Sequence, residues 1–382
     1  MRKYFLLLIL VIASTAHAAS SFTFDSKRGP FPVGFRAVFQ YDESRRYIIA
    51  ANGQATARPI QTLIWYPAKT SQTPMTYGEY FEFGVNREKF DMTAEETKQA
   101  ARKLLKDFRW KDEQIAMEES REQWASRNAA PATGKFPVVI YAPSLRGPAY
   151  ENADLCEYLA SQGYVVLASP SQGVDNKGMT NNRPGIDAQV GDIHFLINYA
   201  ATIGEADTTR VGIVGFSWGG LSNAFAAVGK SNVRALVFLD GSIRYYPKIV
   251  QDSNLNGGER FEIPMLYFSQ RPPPFVDAQA KVDVGNKFLA RLTRANFYLA
   301  TLNYMSHQDY ASLFIREFGR GSYAAATAEE VSASYGLMAR YVNEFLNASL
   351  KGDKTSQAFM ARPSTANKVP EGLMSTVIFH DR

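Results

Sequence analysis

The chain has 382 residues, of which 46% are hydrophobic, 13% aromatic and 21% charged. This composition supplies a sizeable apolar core and excludes a globally disordered or collagen-like protein. The formal net charge of +5 is spread along the chain without a basic block, which argues against a nucleic-acid partner. Cys156 is the only cysteine, so an internal disulfide and a metal site built from several cysteines are both excluded.

The first eighteen residues have the pattern of a removable secretory signal. Arg2 and Lys3 precede an apolar run from Phe5 to Ile12, and Ala16-His17-Ala18 has the small side chains that signal peptidase accepts. The apolar run is shorter than the roughly 20 residues that span a bilayer, which disfavours an uncleaved anchor. We therefore predict that residues 1–18 are a signal peptide. Loss of the two basic residues lowers the net charge of the mature chain to +3. We expect the mature chain to be exported to the periplasm or the medium without stable membrane insertion.

The next part of the chain changes from a strand pattern to a helix pattern. Phe35–Tyr41 alternates between apolar and polar residues, and Ile60–Tyr66 is rich in β-branched and aromatic residues. These segments predict antiparallel strands that open a sheet. From about residue 69 to 135, many Glu, Lys, Gln and Ala residues separate sparse apolar positions, which predicts a helical insertion that forms one wall of a site.

From Phe136 onward, strand patterns alternate with helix patterns. Short apolar runs bounded by Gly, Pro or polar residues predict strands at Phe136–Ala142, Tyr164–Ser169, Arg210–Gly215, Val233–Asp240, Ile263–Phe268 and Phe297–Tyr304. Helix patterns lie at Glu151–Gln162, Gly185–Ala201, Trp218–Val228, Ala278–Leu292 and Ala328–Leu350. The alternation predicts a single α/β domain over residues 19–382, with a doubly wound, mostly parallel sheet. Its ligand site is expected at the carboxyl ends of the strands.

The most specific motif is Gly215-Phe216-Ser217-Trp218-Gly219-Gly220, at the end of a predicted strand and the start of a predicted helix. A sharp strand-to-helix turn crowds the backbone, so that side chains at positions 215 and 219 would clash. The same turn holds a serine hydroxyl out at the helix N-terminus, where backbone N–H groups favour a developing oxyanion. We predict that Ser217 is a catalytic nucleophile.

A serine hydroxyl needs a base within hydrogen-bond reach, and histidine is the usual base near neutral pH. After the signal the chain has three histidines. His194 lies inside a helix pattern before Ser217, and His380 lies two residues from the last residue. His307 follows the last predicted strand, in the loop that can reach back over the nucleophile. His307 is therefore the predicted base.

Two aspartates qualify as the acid that orients the histidine. Asp240 ends an apolar strand, where an unpaired carboxylate would be costly, and Asp277 lies in the loop after the next strand. The loop before Asp277 is long, so its carboxylate falls well beyond the strand end. The sequence favours Asp240 and leaves Asp277 open, whereas Asp309 lies too close to His307 along the chain.

An oxyanion of this kind needs two backbone donors. The residue after the nucleophile supplies one, which makes Trp218 the first candidate. The second donor is expected from the loop after the first parallel strand, Ala142-Pro143-Ser144-Leu145-Arg146-Gly147, where Leu145 is the candidate.

These motifs together resemble those of esterases similar to platelet-activating-factor acetylhydrolase and dienelactone hydrolase, which belong to the α/β-hydrolase superfamily. The resemblance covers about residues 55–315 and is carried by the Ser217 motif, Asp240, Ser306-His307-Gln308-Asp309-Tyr310 and Leu63-Ile64-Trp65-Tyr66-Pro67. It implies the α/β-hydrolase fold and supports Asp240, because the acetylhydrolases take their acid from the strand after the nucleophile helix. Their oxyanion donors match Leu145 and Trp218 by position.

The chain departs from that resemblance in two places. The usual His-Gly before the oxyanion donor is Pro143-Ser144 here, and the inserted region before Phe136 has no counterpart. Dienelactone hydrolases proper resemble the chain less, because they use a cysteine nucleophile. These departures leave the substrate open.

The sequence therefore predicts a carboxylic ester hydrolase that works through an acyl-enzyme. No metal or organic cofactor is implied, and the expected partner is a small-molecule ester, with lipid-like esters among the candidates. Two alternatives stay open: an acyltransferase with the same triad, and a catalytically silent binding protein with the same fold. The sequence indicates nothing about oligomeric state.

Overall fold

The computed structural model describes residues 22–49, 53–107, 112–230, 232–253, 255, 261–270, 288–289, 292–318 and 326–379. Within these ranges the chain forms a sheet of ten strands in the order β10-β9-β8-β7-β6-β4-β5-β2-β1-β3. The strands are Val33–Ile49 (β1), Gln54–Pro67 (β2), Ala125–Arg127 (β3), Phe136–Ala142 (β4), Val165–Ala168 (β5), Ala206–Phe216 (β6), Val233–Leu239 (β7), Met265–Ser269 (β8), Phe297–Leu302 (β9) and Met374–Phe379 (β10).

Helices cover both faces of this sheet. They are Tyr77–Val85 (α1), Ala94–Asp107 (α2), Asp112–Ser120 (α3), Ala153–Ser161 (α4), Arg183–Ala200 (α5), Trp218–Ala227 (α6), Pro247–Gln251 (α7), Ser312–Phe318 (α8), Ala328–Leu346 (α9) and Lys354–Met360 (α10). Helix α5 contacts β4, β5 and β6, and α6 contacts β6 and β7, whereas α4 contacts β2 and β5 and α9 contacts β8. Two apolar clusters fill the two sides, because the central strands are buried on both faces.

The predicted α/β fold with a mostly parallel sheet is confirmed. Pairs from β5 through β4, β6, β7, β8 and β9 are parallel, and β1 and β2 form the antiparallel pair at the N-terminal side. Strand β4 has the predicted bounds. Strand β6 starts at Ala206, earlier than predicted, because its polar first residues extend the pairing with β4.

Some elements differ from the sequence predictions. The helix predicted to Leu350 ends at Leu346 and continues as a π-helical turn over Asn347–Lys351. The antiparallel edge strand β10 was not predicted. The predicted signal peptide, Asp277, His380 and most of the predicted helix Ala278–Leu292 lie outside the described residues.

Helices α1, α2 and α3 lie in the segment predicted as a helical insertion. A buried ion cluster joins α3 to the main body: Arg316 on α8 contacts Glu118 at 2.9 Å and Asp154 on α4 at 2.6 Å. Because all three side chains are buried, loss of the Arg316 charge would leave Asp154 without its cationic partner, whereas Glu118 would keep its contact with Arg121 at 2.8 Å. The insertion is therefore attached to the main body through α4 and α8.

A second buried carboxylate also joins the insertion to α4. Glu157 accepts hydrogen bonds from the Tyr80 hydroxyl of α1 and from the Trp124 backbone N–H, both at 2.6 Å. Burial raises the pKa of Glu157 from 4.5 to about 7, because the charged form loses its hydration.

No helix among the described residues is both long and apolar enough to cross a membrane.

We predict that Glu157 makes the free energy of unfolding fall between pH 4.5 and 7. The folded chain binds a proton there that the unfolded chain has released, so stability decreases as pH rises, by about 3 kcal/mol over the window. Glu157→Gln carries no such proton, and its unfolding free energy is expected to fall less steeply with pH. Urea titrations of both proteins from pH 4.5 to 8 measure the two slopes, and equal slopes would contradict the prediction.

Candidate active site

Ser217 lies at the sharp turn between β6 and α6. Its backbone has φ 51°, a conformation that residues other than Gly rarely adopt. A Cβ atom at Gly215 would come within 2.5 Å of the Gly219 backbone, and one at Gly219 would meet the Ala142 carbonyl oxygen and approach that of Pro143 to 2.7 Å. The two glycines thus permit the close approach that the sequence motif predicted. Ser217 is half-exposed, whereas its neighbours on both sides are buried.

The structure brings Ser217, His307 and Asp240 together. His307 Nε2 lies 2.8 Å from Ser217 Oγ, and His307 Nδ1 lies 2.6 Å from Asp240 Oδ2. His307 begins a short 3₁₀ turn that Ser306 and Asp309 cap, and its backbone N–H donates to Gln270 Oε1 at 2.9 Å. The imidazole therefore has one nitrogen on the serine and the other on the aspartate, in the orientation that a general base requires.

Asp240 is fully buried immediately after β7, in a backbone conformation with φ 41°. Its second carboxylate oxygen accepts a hydrogen bond from the Gln270 backbone N–H at 3.3 Å and lies 3.7 Å from the Arg244 guanidinium. Burial acts to lower the pKa of Arg244, but the nearby Asp240 carboxylate raises it above its ordinary value, so Arg244 stays positively charged beside Asp240. Asp309 instead accepts hydrogen bonds from Ser306, within its own turn.

The two predicted oxyanion donors lie on facing segments. Gly219 touches Ala142 and Pro143, so the loop with Leu145 is next to the N-terminus of α6, where Trp218 lies. Among the described residues, neither the Leu145 nor the Trp218 backbone N–H donates a hydrogen bond. The Trp218 side chain is buried and packs against Tyr246, so this residue offers the site only its backbone.

Several polar residues that support this arrangement were not found from the sequence. Gln189 on α5 donates to the Pro143 carbonyl at 2.8 Å and accepts from Ser222 on α6 at 2.6 Å, which ties the loop to the nucleophile helix. The Ser242 backbone N–H donates to the Ser217 carbonyl at 2.7 Å. Their signal in the sequence is weak, because Gln and Ser are common in helices and turns and these contacts join distant segments.

His194 lies apart from this cluster. Its ring nitrogen Nε2 lies 2.9 Å from the Ala226 carbonyl oxygen, and burial lowers its pKa. Among the described residues there is no group of three or more His, Cys, Asp or Glu side chains arranged to hold a metal ion.

A cavity of about 420 Å³ lies beside the predicted oxyanion loop. Residues of the loop form one wall, and the insertion and α8 form the others. The lining includes Gly84, Arg87, Leu104, Leu145, Tyr150, Leu313, Phe314 and Glu317. Phe314 also packs against Phe216, whose ring contacts His307 at a centroid distance of 5.1 Å, so the cavity adjoins the candidate triad. A larger cavity of about 850 Å³, between residues 26–30 and α9, contains none of the three residues.

Comparisons with known proteins agree with this fold. A candidate carboxymethylenebutenolidase of Methylorubrum extorquens is 32% identical over 139 residues, which are 33% of this chain and 45% of that protein. One of Salmonella typhi is 29% identical over 136 residues, which are 32% of this chain and 47% of that protein. The chain thus spans about half the length of the curated relatives it matches.

A solved ferulic acid esterase from Streptomyces cinnamoneus has the same fold, with a TM-score of 0.67 and 18% identity, over 94% of this chain and 99% of that one. The expected α/β-hydrolase fold is confirmed by this similarity. The model of the dienelactone hydrolase family matches residues 125–330, which include β3 to β9 and all three residues of the candidate triad. Because this match extends over more than half of the chain, the protein belongs to the dienelactone hydrolase family.

Proposed function

We propose that the protein hydrolyses carboxylic esters, with Ser217 as nucleophile, His307 as general base and Asp240 as the acid that orients His307. The continuous contact from Asp240 Oδ2 through the imidazole to Ser217 Oγ, at 2.6 Å and 2.8 Å, is the observation that carries this proposal. Membership of the dienelactone hydrolase family supports it, since a lactone is a cyclic ester.

In the proposed reaction Ser217 Oγ attacks the ester carbonyl carbon while His307 Nε2 takes the hydroxyl proton. The carbonyl oxygen becomes an oxyanion that the Leu145 and Trp218 backbone N–H groups stabilise. The carbon–oxygen bond to the leaving alcohol then breaks, and the imidazolium gives its proton to that alcohol. Water attacks the acyl-enzyme with His307 again as the base, which releases the carboxylic acid and restores Ser217.

The charge arrangement supports these roles. The Asp240 carboxylate lies beside Arg244 and stabilises the imidazolium that forms when His307 takes the proton. Arg244 does not compete for the oxygen that faces the imidazole, because it contacts the other carboxylate oxygen. The proposed base thus keeps its orientation through both halves of the reaction.

The cavity beside the loop supports a substrate of some size. Leu104, Leu145, Tyr150, Leu313 and Phe314 give it apolar walls between the charged residues Arg87, Arg146 and Glu317, and its volume of about 420 Å³ lies in the range typical of small-molecule sites. We propose that it receives an apolar group of a small-molecule ester, and lipid-like esters fit this description. With the export predicted from the first eighteen residues, the protein would meet such an ester outside the cytoplasm.

We predict that a fluorophosphonate labels the wild-type protein at Ser217 and that Ser217→Ala loses both the label and ester turnover. In the proposed mechanism Ser217 Oγ is the only protein atom that forms a covalent bond with the substrate. Mass spectrometry locates the label, and p-nitrophenyl esters from acetate to decanoate measure turnover. A folded wild-type protein without label or turnover would reject hydrolysis in favour of the silent binding protein. If an added alcohol is converted to a new ester and little free carboxylic acid is released, the protein is an acyltransferase.

Asp240→Asn is expected to lower kcat by about 10³- to 10⁴-fold, because the amide can donate to His307 Nδ1 and thereby favour the wrong tautomer. KM is expected to change little, since Asp240 is buried behind the imidazole. Asp309→Asn is the matched control and is expected to keep most of kcat. Steady-state kinetics of the two variants test the choice of acid, and an Asp240→Asn enzyme with wild-type kcat would reject Asp240.

The preferred ester is expected to change with the size of residue 104. Leu104→Trp reduces the cavity and should move the maximum of the p-nitrophenyl ester series to shorter chains, whereas Leu104→Ala should move it to longer ones. Leu337→Ala, in the larger cavity away from the triad, is the control with an unchanged profile. Identical profiles in all variants would show that the substrate does not enter this cavity.

A further inference from the structure

Glu151 is a fully buried carboxylate next to the candidate oxyanion loop, and the proposed mechanism does not use it. Its Oε1 accepts hydrogen bonds from the Tyr141 hydroxyl at 2.8 Å and from the Ser144 backbone N–H at 2.7 Å. Its Oε2 accepts one from the Ser144 hydroxyl at 2.7 Å. Both oxygens are therefore directed at the end of β4 and the residue before Leu145.

The loop is folded closely around this carboxylate. The Gly147 N–H donates to the Ser144 carbonyl at 2.9 Å, which closes a tight turn over Leu145 and Arg146. A Cβ atom at Gly147 would collide with Glu151 Oε2 and lie 2.8 Å from Ser144 Oγ. The Ser171 N–H donates to the Gly147 carbonyl at 2.9 Å and holds the other side of the turn. The position of the Leu145 N–H thus depends on groups that contact Glu151.

Burial of this carboxylate is costly. Among the described residues Glu151 forms no ion pair with Lys or Arg, and burial raises its pKa to about 7 even though three hydrogen bonds favour the charged form. His307 also favours that form, and Tyr141 and Cys156 are the other titratable groups close to it. An apolar side chain would fill the same space at a lower free-energy cost of burial. What a carboxylate adds at this position is therefore its hydrogen bonds to the loop.

We propose that Glu151 is a positioning residue, which holds the turn at Ser144 so that the Leu145 N–H points at the developing oxyanion. This inference rests on the proposed function. A donor aimed at the oxyanion stabilises the transition state more than the bound ester, so a displaced donor lowers kcat and leaves KM nearly unchanged. Glu151 acts through Ser144 and does not touch the substrate.

Glu157, on helix α4, provides a matched control. It is buried to a similar extent, has a pKa raised to about 7 and also accepts from a tyrosine hydroxyl and a backbone N–H. Its partners, however, belong to the insertion and the segment before β3, not to the loop with Leu145. Glu151→Ala and Glu157→Ala therefore remove equivalent buried carboxylates with different neighbours.

The test compares kcat, KM and the affinity of a trifluoromethyl ketone, whose adduct with serine carries an oxyanion, at a temperature where each variant is folded. Glu151→Ala is expected to lower kcat by about 10- to 100-fold and the ketone affinity by a similar factor, with KM within about twofold. Glu157→Ala should keep kcat within about twofold. Glu151→Gln should recover most of kcat, because its amide oxygen accepts from Ser144 N–H and its amide nitrogen can donate to the Ser144 hydroxyl.

Hydrogen exchange separates this inference from the proposed function. Glu151→Ala should accelerate exchange in a peptide that covers residues 143–148, and Glu151→Gln and Glu157→Ala should not. A wild-type protein without fluorophosphonate label or turnover would reject the ester hydrolase proposal. Unchanged exchange in Glu151→Ala, or a kcat equal to that of Glu157→Ala in an active enzyme, would reject the role of Glu151.

Discussion

The candidate site depends on one steric constraint, which is that the turn between β6 and α6 has no room for side chains at Gly215 and Gly219. Without Cβ atoms there, α6 can lie against the end of β4, and the Ala142–Pro143 backbone comes into contact with the helix N-terminus. That contact puts the loop with Leu145 beside Trp218, and Ser217 in the same turn has φ 51°. The strain of this conformation is retained because the surrounding strands and helices over-determine it.

Buried polar groups hold the other parts of the site in place. Asp240 is buried with Arg244 and Gln270 at one oxygen and His307 at the other, so the first two contacts hold the carboxylate and the third orients the imidazole. Gln189 fixes the Pro143 carbonyl, and Glu151 fixes Ser144. Each group is costly to bury and therefore specifies one arrangement, since a displaced loop would leave its hydrogen bonds unmade.

The helical insertion also contributes residues to the cavity beside the candidate site. It supplies Gly84, Arg87 and Leu104 to the cavity, and its attachment through Glu118 and Glu157 links it to α8 and α4. The family match begins only at residue 125, so the hairpin β1–β2 and helices α1, α2 and α3 of the insertion lie outside the part of the chain that the family shares. Selection among the proposed ester substrates can thus change in the insertion without a change in the residues proposed for catalysis.

The sequence by itself determined the α/β alternation, the position of Ser217 at a strand-to-helix turn and the order Ser217, Asp240, His307, because apolar runs and glycine requirements are local properties. It also favoured Asp240, whose place at a strand end is visible in the sequence. Only the tertiary structure decided that His307 reaches both partners, that the insertion borders the cavity and that Glu151 lies under the loop. These contacts join segments far apart along the chain, and their geometry is set by how the helices and loops pack on the sheet, which no local pattern encodes.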